Sequence, residues 1–143
     1  MKIRIRRIDK SIALPEYKTA GSAGFDLSSR DEVTIPPGGT KFVPLNIIVE
    51  LPKTHMLLLA ARSSLPKKGL MLANGVGIGD SDFCGPDDEY QAMVYNFSDK
   101  AVIIEKGERI GQGIIVNVDR AEFEEADHVD HPSRGGFGST GQF

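Results

Sequence analysis

Two carboxylates stand one residue apart in Asn74-Gly75-Val76-Gly77-Ile78-Gly79-Asp80-Ser81-Asp82-Phe83-Cys84-Gly85. On an extended strand such a pair lies on one side, close enough for one charge to raise the other's pKa. A carboxylate so placed can polarise a water, and the adjacent Phe83 ring can stack on a sugar. The glycines allow the backbone to approach a flat ligand closely. The same residues also fit a glycine-rich hairpin with solvated aspartates and a core phenylalanine. A second group, Ala61-Arg62-Ser63-Ser64-Leu65, closes an apolar run. There a guanidinium, two hydroxyls and backbone N–H groups can cradle an anion. The bland alternative is a surface arginine beside an N-cap serine.

Two further segments carry charge or glycine. Lys106-Gly107-Glu108-Arg109-Ile110-Gly111-Gln112 is a charged turn entering a strand. The end of the chain, Arg134-Gly135-Gly136-Phe137-Gly138-Ser139-Thr140-Gly141, is either a disordered terminus or a lid. As a lid it would stack Phe137 on a ligand and bring Arg134 and glycine N–H groups to phosphates. Asp127-His128-Val129-Asp130-His131 has metal-ligand residue types, but its acidic surroundings read as a solvated linker.

The elements that must position these residues read as short strands. Residues 2–8 alternate basic and apolar, Lys2, Arg4 and Arg6 against Ile3, Ile5 and Ile8, which predicts a strand with one face on the core. Asp31 to Ile35 leads into the turn Pro36-Pro37-Gly38-Gly39, and an apolar run follows from Phe42 to Leu51. Met56 to Ala61 is uniformly apolar, as a strand buried on both faces would be. Ser63 to Gly69, serine before an early proline and glycine at the close, suits one short helical turn. Further strands are expected at Leu70–Ala73, Tyr90–Phe97, Ala101–Glu105, Arg109–Val118 and Ala121–Glu124. No stretch of ten residues keeps a helical spacing. The pattern predicts an all-β jelly-roll or distorted barrel with one short helix. Residues 1–130 form its core, and 131–143 a flexible glycine-rich C-terminal arm.

Composition narrows the class. A chain of 143 residues is one domain's worth and can bury its own core without a disulfide or metal. Its formal charge of −3 provides no basic field, so nucleic-acid polymers and anionic membranes are poor partners. Cys84 is the lone cysteine, and with three histidines it cannot build a cysteine-rich zinc site. No apolar stretch spans a bilayer and the N-terminus has no signal-peptide core, so the expected location is cytoplasmic.

Taken together and in this order, the segments resemble the five motifs of the trimeric dUTPase family. Ala23-Gly24-Phe25-Asp26-Leu27 is similar to the first motif and Arg62-Ser63-Ser64-Leu65 to the second. Gly77 to Gly85 is similar to the third, Lys106 to Gln112 to the fourth, and Gly135 to Gly141 to the fifth. The resemblance implies a homotrimer with active sites shared between subunits. It implies hydrolysis of dUTP to dUMP and pyrophosphate, which keeps uracil out of DNA and supplies dUMP for thymidylate synthesis. Asp80 would activate the attacking water. Asn74 with the backbone of Gly77, Ile78 and Gly79 would read uracil, and Phe83 would lie under the deoxyribose. Arg62, Ser63, Ser64, Gln112 and Arg134 would hold phosphates, Phe137 would cover the base, and Asp26 would support the site. Magnesium would be held mainly by the triphosphate, with no dedicated protein site.

Four positions depart from the family pattern. Gly79 replaces the usual isoleucine or valine, and Phe83 the usual tyrosine. Pro86-Asp87-Asp88 is inserted after the third motif, and Pro132 occupies the usual arginine slot of the fifth, leaving Arg134 against Gly135. Two rivals lose on residues. dCTP deamination on this fold needs a glutamate three residues before Asn96, where Met93 stands. A silent nucleotide-binding module should have lost the base or the tail, and both are present.

Overall fold

A computed structural model describes residues 1–141. Its eleven strands are β1 (Arg4–Arg7), β2 (Phe25–Ser28), β3 (Val33–Ile35), β4 (Thr40–Pro44), β5 (Ile47–Glu50) and β6 (His55–Ala61), followed by β7 (Leu70–Leu72), β8 (Gly77–Gly79), β9 (Gln91–Asn96), β10 (Val102–Ile104) and β11 (Arg109–Asn117). All pairings are antiparallel, in four sheets: β1-β5, β10-β3, β2-β11-β6-β8 and β4-β9-β7. The all-β jelly-roll expectation holds. Among the described residues no ladder closes on itself, so the sheets pack as open layers around one core. Leu27, Ile35, Leu57, Val94 and Ile104 are fully buried at its centre. No helix among the described residues is long and apolar enough to cross a membrane.

Period two explains most strands. β2 alternates buried Phe25 and Leu27 with half-buried Asp26 and Ser28. Sequence reasoning treated this segment only as a motif, although the alternation was there to see. The single helical element among the described residues is a 3₁₀ turn, Pro66–Lys68, closed by left-handed Gly69 (φ 79°). Leu65 occupies its N-cap without a side-chain bond, so the expected serine cap is not used.

Other expectations need correcting. The run from Phe42 to Leu51 is two strands, because Asn46 adopts φ 68° between them. Its carboxamide accepts from the Asp9 N–H at 2.6 Å and donates to the Asp9 carbonyl at 2.9 Å, which stabilises that break. The segment Ala121–Glu124 is exposed coil, and Phe123 is 95% exposed, because no strand of its own chain pairs with it. β6 is buried on one face only: Leu57 and Leu59 are in the core, while Met56, Leu58 and Ala60 are half-covered. Of the residues 2–8 read as one strand, only Arg4–Arg7 form β1; Ile3 packs against the core, but Ile5 and Ile8 remain over one-third exposed.

Candidate active site

The sequence-derived site residues fall into two places. The first is a cleft of about 330 Å³ lined by Lys18, Gly24, Asp26, Arg62, Ser63 and Gln112, among others. Asp26 is its hub. One carboxylate oxygen meets Arg62 Nε at 3.0 Å and the other meets Arg109 Nη1 at 2.7 Å. Arg62 Nη1 also donates to the Arg109 carbonyl at 3.2 Å, and Gln112 Nε2 to the Ala61 carbonyl at 3.1 Å. Asp26 faces Gln112 across the β2-β11 ladder, which is why two distant segments meet. Ser64, the next residue after Ser63, is exposed and does not line this cleft.

Arg109 was given no role from sequence. The β2-β11 register shifts between Arg109 and Gly111, setting Arg109 opposite Ser28. A bulge of this kind re-aims a side chain, here toward Asp26. Period-two reading assumes an unbroken ladder and so cannot see it. Lys18, salt-bridged to Glu16, is a second unforeseen cation at this cleft. Gly24 is needed for close approach: a Cβ there would lie 3.1 Å from Gln112 Oε1 and from the Gly113 carbonyl.

The second place is a cavity of about 440 Å³ lined by Asn74, Gly77, Ile78, Gly79, Asp80 and Phe83, with Tyr90 behind them. Its wall is β8, the edge strand of the four-stranded sheet. One side of β8 pairs with β6, so the other presents unpaired backbone N–H and C=O groups. Gly75, at φ 73°, makes the turn into β8, and the Val76 N–H bonds to the Asn74 carbonyl at 2.8 Å. Gly77 sits tightly on β6, where a Cβ would be 3.0 Å from that of Leu59.

Asp80 and Asp82 are both exposed, but they do not share one face of a strand. The chain turns after Gly79, with the Phe83 N–H bonded to the Asp80 carbonyl at 3.2 Å. The extended geometry expected for the pair is therefore replaced by a turn. Phe83, 38% exposed, meets the Tyr90 ring edge to face at 5.3 Å. The inserted Pro86-Asp87-Asp88 folds into a local turn: Asp88 Oδ2 accepts from the Gly85 N–H at 2.6 Å. Arg6 Nη1 donates to the Pro86 carbonyl at 3.2 Å, tying that turn to β1.

The two places lie far apart in one chain. Gly79 pairs with Leu57, and β8 runs antiparallel to β6, so Asp80 continues away from Arg62. Leu57 to Arg62 is five residues, or about 17 Å along a strand. Among the described residues, none of the tail lines either place. Residues 119–141 form no strand, and Arg134 and Phe137 are exposed, with local turns closed by Ser139 N–H to the Gly136 carbonyl and Gly141 N–H to the Gly138 carbonyl.

The model of the dUTPase family matches residues 10–141. The chain belongs to the dUTPase family. The expectation of an enzyme drawn from the five segments holds with it. A deoxyuridine 5'-triphosphate nucleotidohydrolase of Helicobacter pylori strain P12 is 39% identical over 144 residues, covering 99% of this chain and 97% of the relative. The crystal structure of a dUTPase from Streptococcus mutans matches with TM-score 0.77 at 31% identity, over 83% of this chain and 98% of that one. The dUTPase of Staphylococcus bacteriophage 80alpha, solved with dUPNHPP, matches with TM-score 0.87 over 99% of both chains. At 23% identity it supports the dUTPase fold alone.

Proposed function

We propose that this chain hydrolyses dUTP to dUMP and pyrophosphate at a site completed by another copy of itself. The observation that carries the reading is the separation of the two places. The cleft around Asp26 holds the cations and the β8 cavity holds Asp80, at opposite ends of β6. A triphosphate cannot reach both in one chain, so one copy supplies the phosphate cleft and a neighbour the nucleoside cavity. The half-covered outer face of β6 supports contact with a neighbour, and a closed ring of three is the assembly proposed.

Uracil offers an acceptor–donor–acceptor edge that suits the free backbone of β8, with Asn74 beside it. Phe83 stacks under the deoxyribose and leaves no room for a ribose 2′-hydroxyl. Asp80 takes a proton from a water whose oxygen bonds to the α-phosphorus, while the bond to the bridging oxygen breaks and pyrophosphate leaves. Arg62, Ser63, Ser64 and Gln112 hold the phosphates, and Asp26 keeps Arg62 and Arg109 oriented. Residues 1–130 act as the core, and 131–143 as an arm that brings Arg134 to phosphate and Phe137 over the base. We place the reaction in the cytoplasm, where it keeps uracil out of DNA and supplies dUMP for thymidylate synthesis.

Among the described residues no cluster of three or more His, Cys, Asp or Glu could hold a metal, and Asp26 is engaged by two arginines. That donor set fits magnesium carried on the triphosphate, as an ion that keeps most of its waters. Bound there, it would supply charge neutralisation on the phosphates.

Pyrophosphate release from a panel of dUTP, dTTP, dCTP and UTP with magnesium tests the reading. Release from dUTP with little from the others is expected. Comparable turnover of dCTP overturns the single-substrate claim, and ammonia release from dCTP would point to deamination despite Met93.

A further inference from the structure

The region around Asp26 holds its cations in two different ways. Arg62 and Arg109 are fixed on the Asp26 carboxylate, and Arg62 also donates to the Arg109 carbonyl. Lys18 lines the same cleft, yet among the described residues its ammonium meets only Glu16. Side-chain exposures of 48% and 67% leave that pair in solvent, where an ion pair is weak. The bond from Lys18 holds the Glu16 carboxyl below its usual range, and the charges of Arg109 and Asp26 also act on it, in opposite senses.

The backbone beneath Lys18 is fixed although its head is not. On one side Tyr17 packs edge to face on Phe25, with ring centres 5.6 Å apart. On the other, the Ser22 N–H donates to the Thr19 carbonyl and the Thr19 N–H to Ser22 Oγ, both at 3.1 Å. A lysine on a fixed base keeps a four-carbon stem that can carry its charge from one partner to another. Lys18 and Asp26 also line an adjoining cavity of about 510 Å³, so Lys18 stands where the two meet.

On the proposed reaction, which this inference rests on, the α-phosphorus faces Asp80 of a neighbouring copy. The β- and γ-phosphates are then the part of the substrate that the Asp26 cleft receives. Two arginines less one carboxylate leave a single net positive charge there. A pyrophosphate group carries more negative charge than that at neutral pH. The demand grows as water bonds to the α-phosphorus, because the electron pair of the breaking P–O bond passes to the bridging oxygen of the leaving pyrophosphate. Arg62 and Arg109 would have to give up Asp26 to follow it, whereas Lys18 gives up only Glu16.

We infer that Lys18 is a further substrate-binding residue, which exchanges Glu16 for the β- and γ-phosphates and neutralises charge gathering on the leaving pyrophosphate. Glu16 is its resting partner and keeps the ammonium at the cleft before substrate arrives.

Steady-state kinetics of Lys18→Met and Glu16→Gln chains with magnesium, including product inhibition by pyrophosphate and by dUMP, tests this. Lys18→Met should lower kcat/KM for dUTP by about 10-fold, the low end for a hydrogen bond to a charged group. Inhibition by pyrophosphate should weaken to match, while inhibition by dUMP, which lacks those phosphates, should stay as it was. Glu16→Gln should leave pyrophosphate inhibition as tight or tighter. Both side chains are exposed, so neither change should alter the fold. Unchanged pyrophosphate inhibition in Lys18→Met, an equal loss for dUMP, or a loss in Glu16→Gln would each overturn the inference. If the unaltered chain fails to hydrolyse dUTP, the proposed reaction falls, and calorimetric titration of pyrophosphate onto the parent and Lys18→Met chains still decides the role of Lys18.

Discussion

The cleft around Asp26 and the cavity at β8 are built on opposite principles. In the cleft the charged and amide side chains are already partnered: Asp26 holds two arginines and Gln112 donates to the Ala61 carbonyl. In the cavity they are not: β8 has a free edge, Asp80 is exposed and Tyr90 Oη is an orphan. Flexible cations must be held apart from solvent and from each other before a polyanion arrives, and a carboxylate between them does so. On the proposed function a base and sugar would need instead a rigid shape, and packing of glycines and rings supplies one. Charge organises one region, and steric fit the other.

The largest effect should come from breaking the chemical end of the cavity. Asp80→Asn is expected to cut turnover by about 10²–10⁴-fold, with far less change in nucleotide affinity, as steady-state kinetics and binding titration would show. Asp82→Asn is the control, and a heavier loss there would reverse the assignment within the pair.

The separation of the half-sites can be attacked directly by mixing Asp80→Asn chains with Arg62→Ala chains, each nearly inactive alone. If one copy supplies Asp80 and another Arg62, random mixing leaves about a quarter of sites with both wild-type residues. Two-tag purification of mixed oligomers followed by pyrophosphate release reads this out. Activity no higher than the separate variants would mean each chain carries its own complete site. Light scattering should report three subunits in the unaltered protein.

A smaller effect sharpens the claim that the cavity is organised by fit. Gly79→Val should destabilise the fold by about 1–3 kcal/mol, because the new side chain meets the Tyr90 ring. Adding Tyr90→Leu should recover most of that loss, a coupling that chemical denaturation of the four variants would measure. Additive losses would show that the two positions do not share space.

The smallest effect is alkaline. In the unfolded chain tyrosine ionises near its ordinary value of 10.0, while burial and then the charges of Asp80 and Cys84 hold Tyr90 at about 12. Between those values the unfolded state has lost a proton the folded state keeps, so stability falls as pH rises. Tyr90→Phe should flatten that limb of the stability profile from pH 10 to 12 without altering it near neutrality.

Much of the fold was legible because local chemistry sets it. Strand-like runs marked β9 and β11, Pro36 to Gly39 gave a turn, and glycine closed the 3₁₀ turn at Gly69. The misreadings share a cause. Asn46 breaks an apolar run through bonds to Asp9, thirty-seven residues away, and Phe123 lacks a partner strand within its own chain. Neither fact is present in a window of neighbouring residues.

For the site, residue types alone placed a carboxylate beside an aromatic ring, and an arginine beside two serines. These follow from chemistry that each segment carries within itself. Sequence also showed that Gly79 and Phe83 were unusual, but not why. Only the tertiary structure decided that Tyr90 fills the space above Gly79, that a bulge turns Arg109 onto Asp26, and that Asp80 and Arg62 lie at opposite ends of β6. Each of these depends on which strands pair and in what register. Period two tells which face of a strand is apolar, but register is a non-local choice made by the whole core.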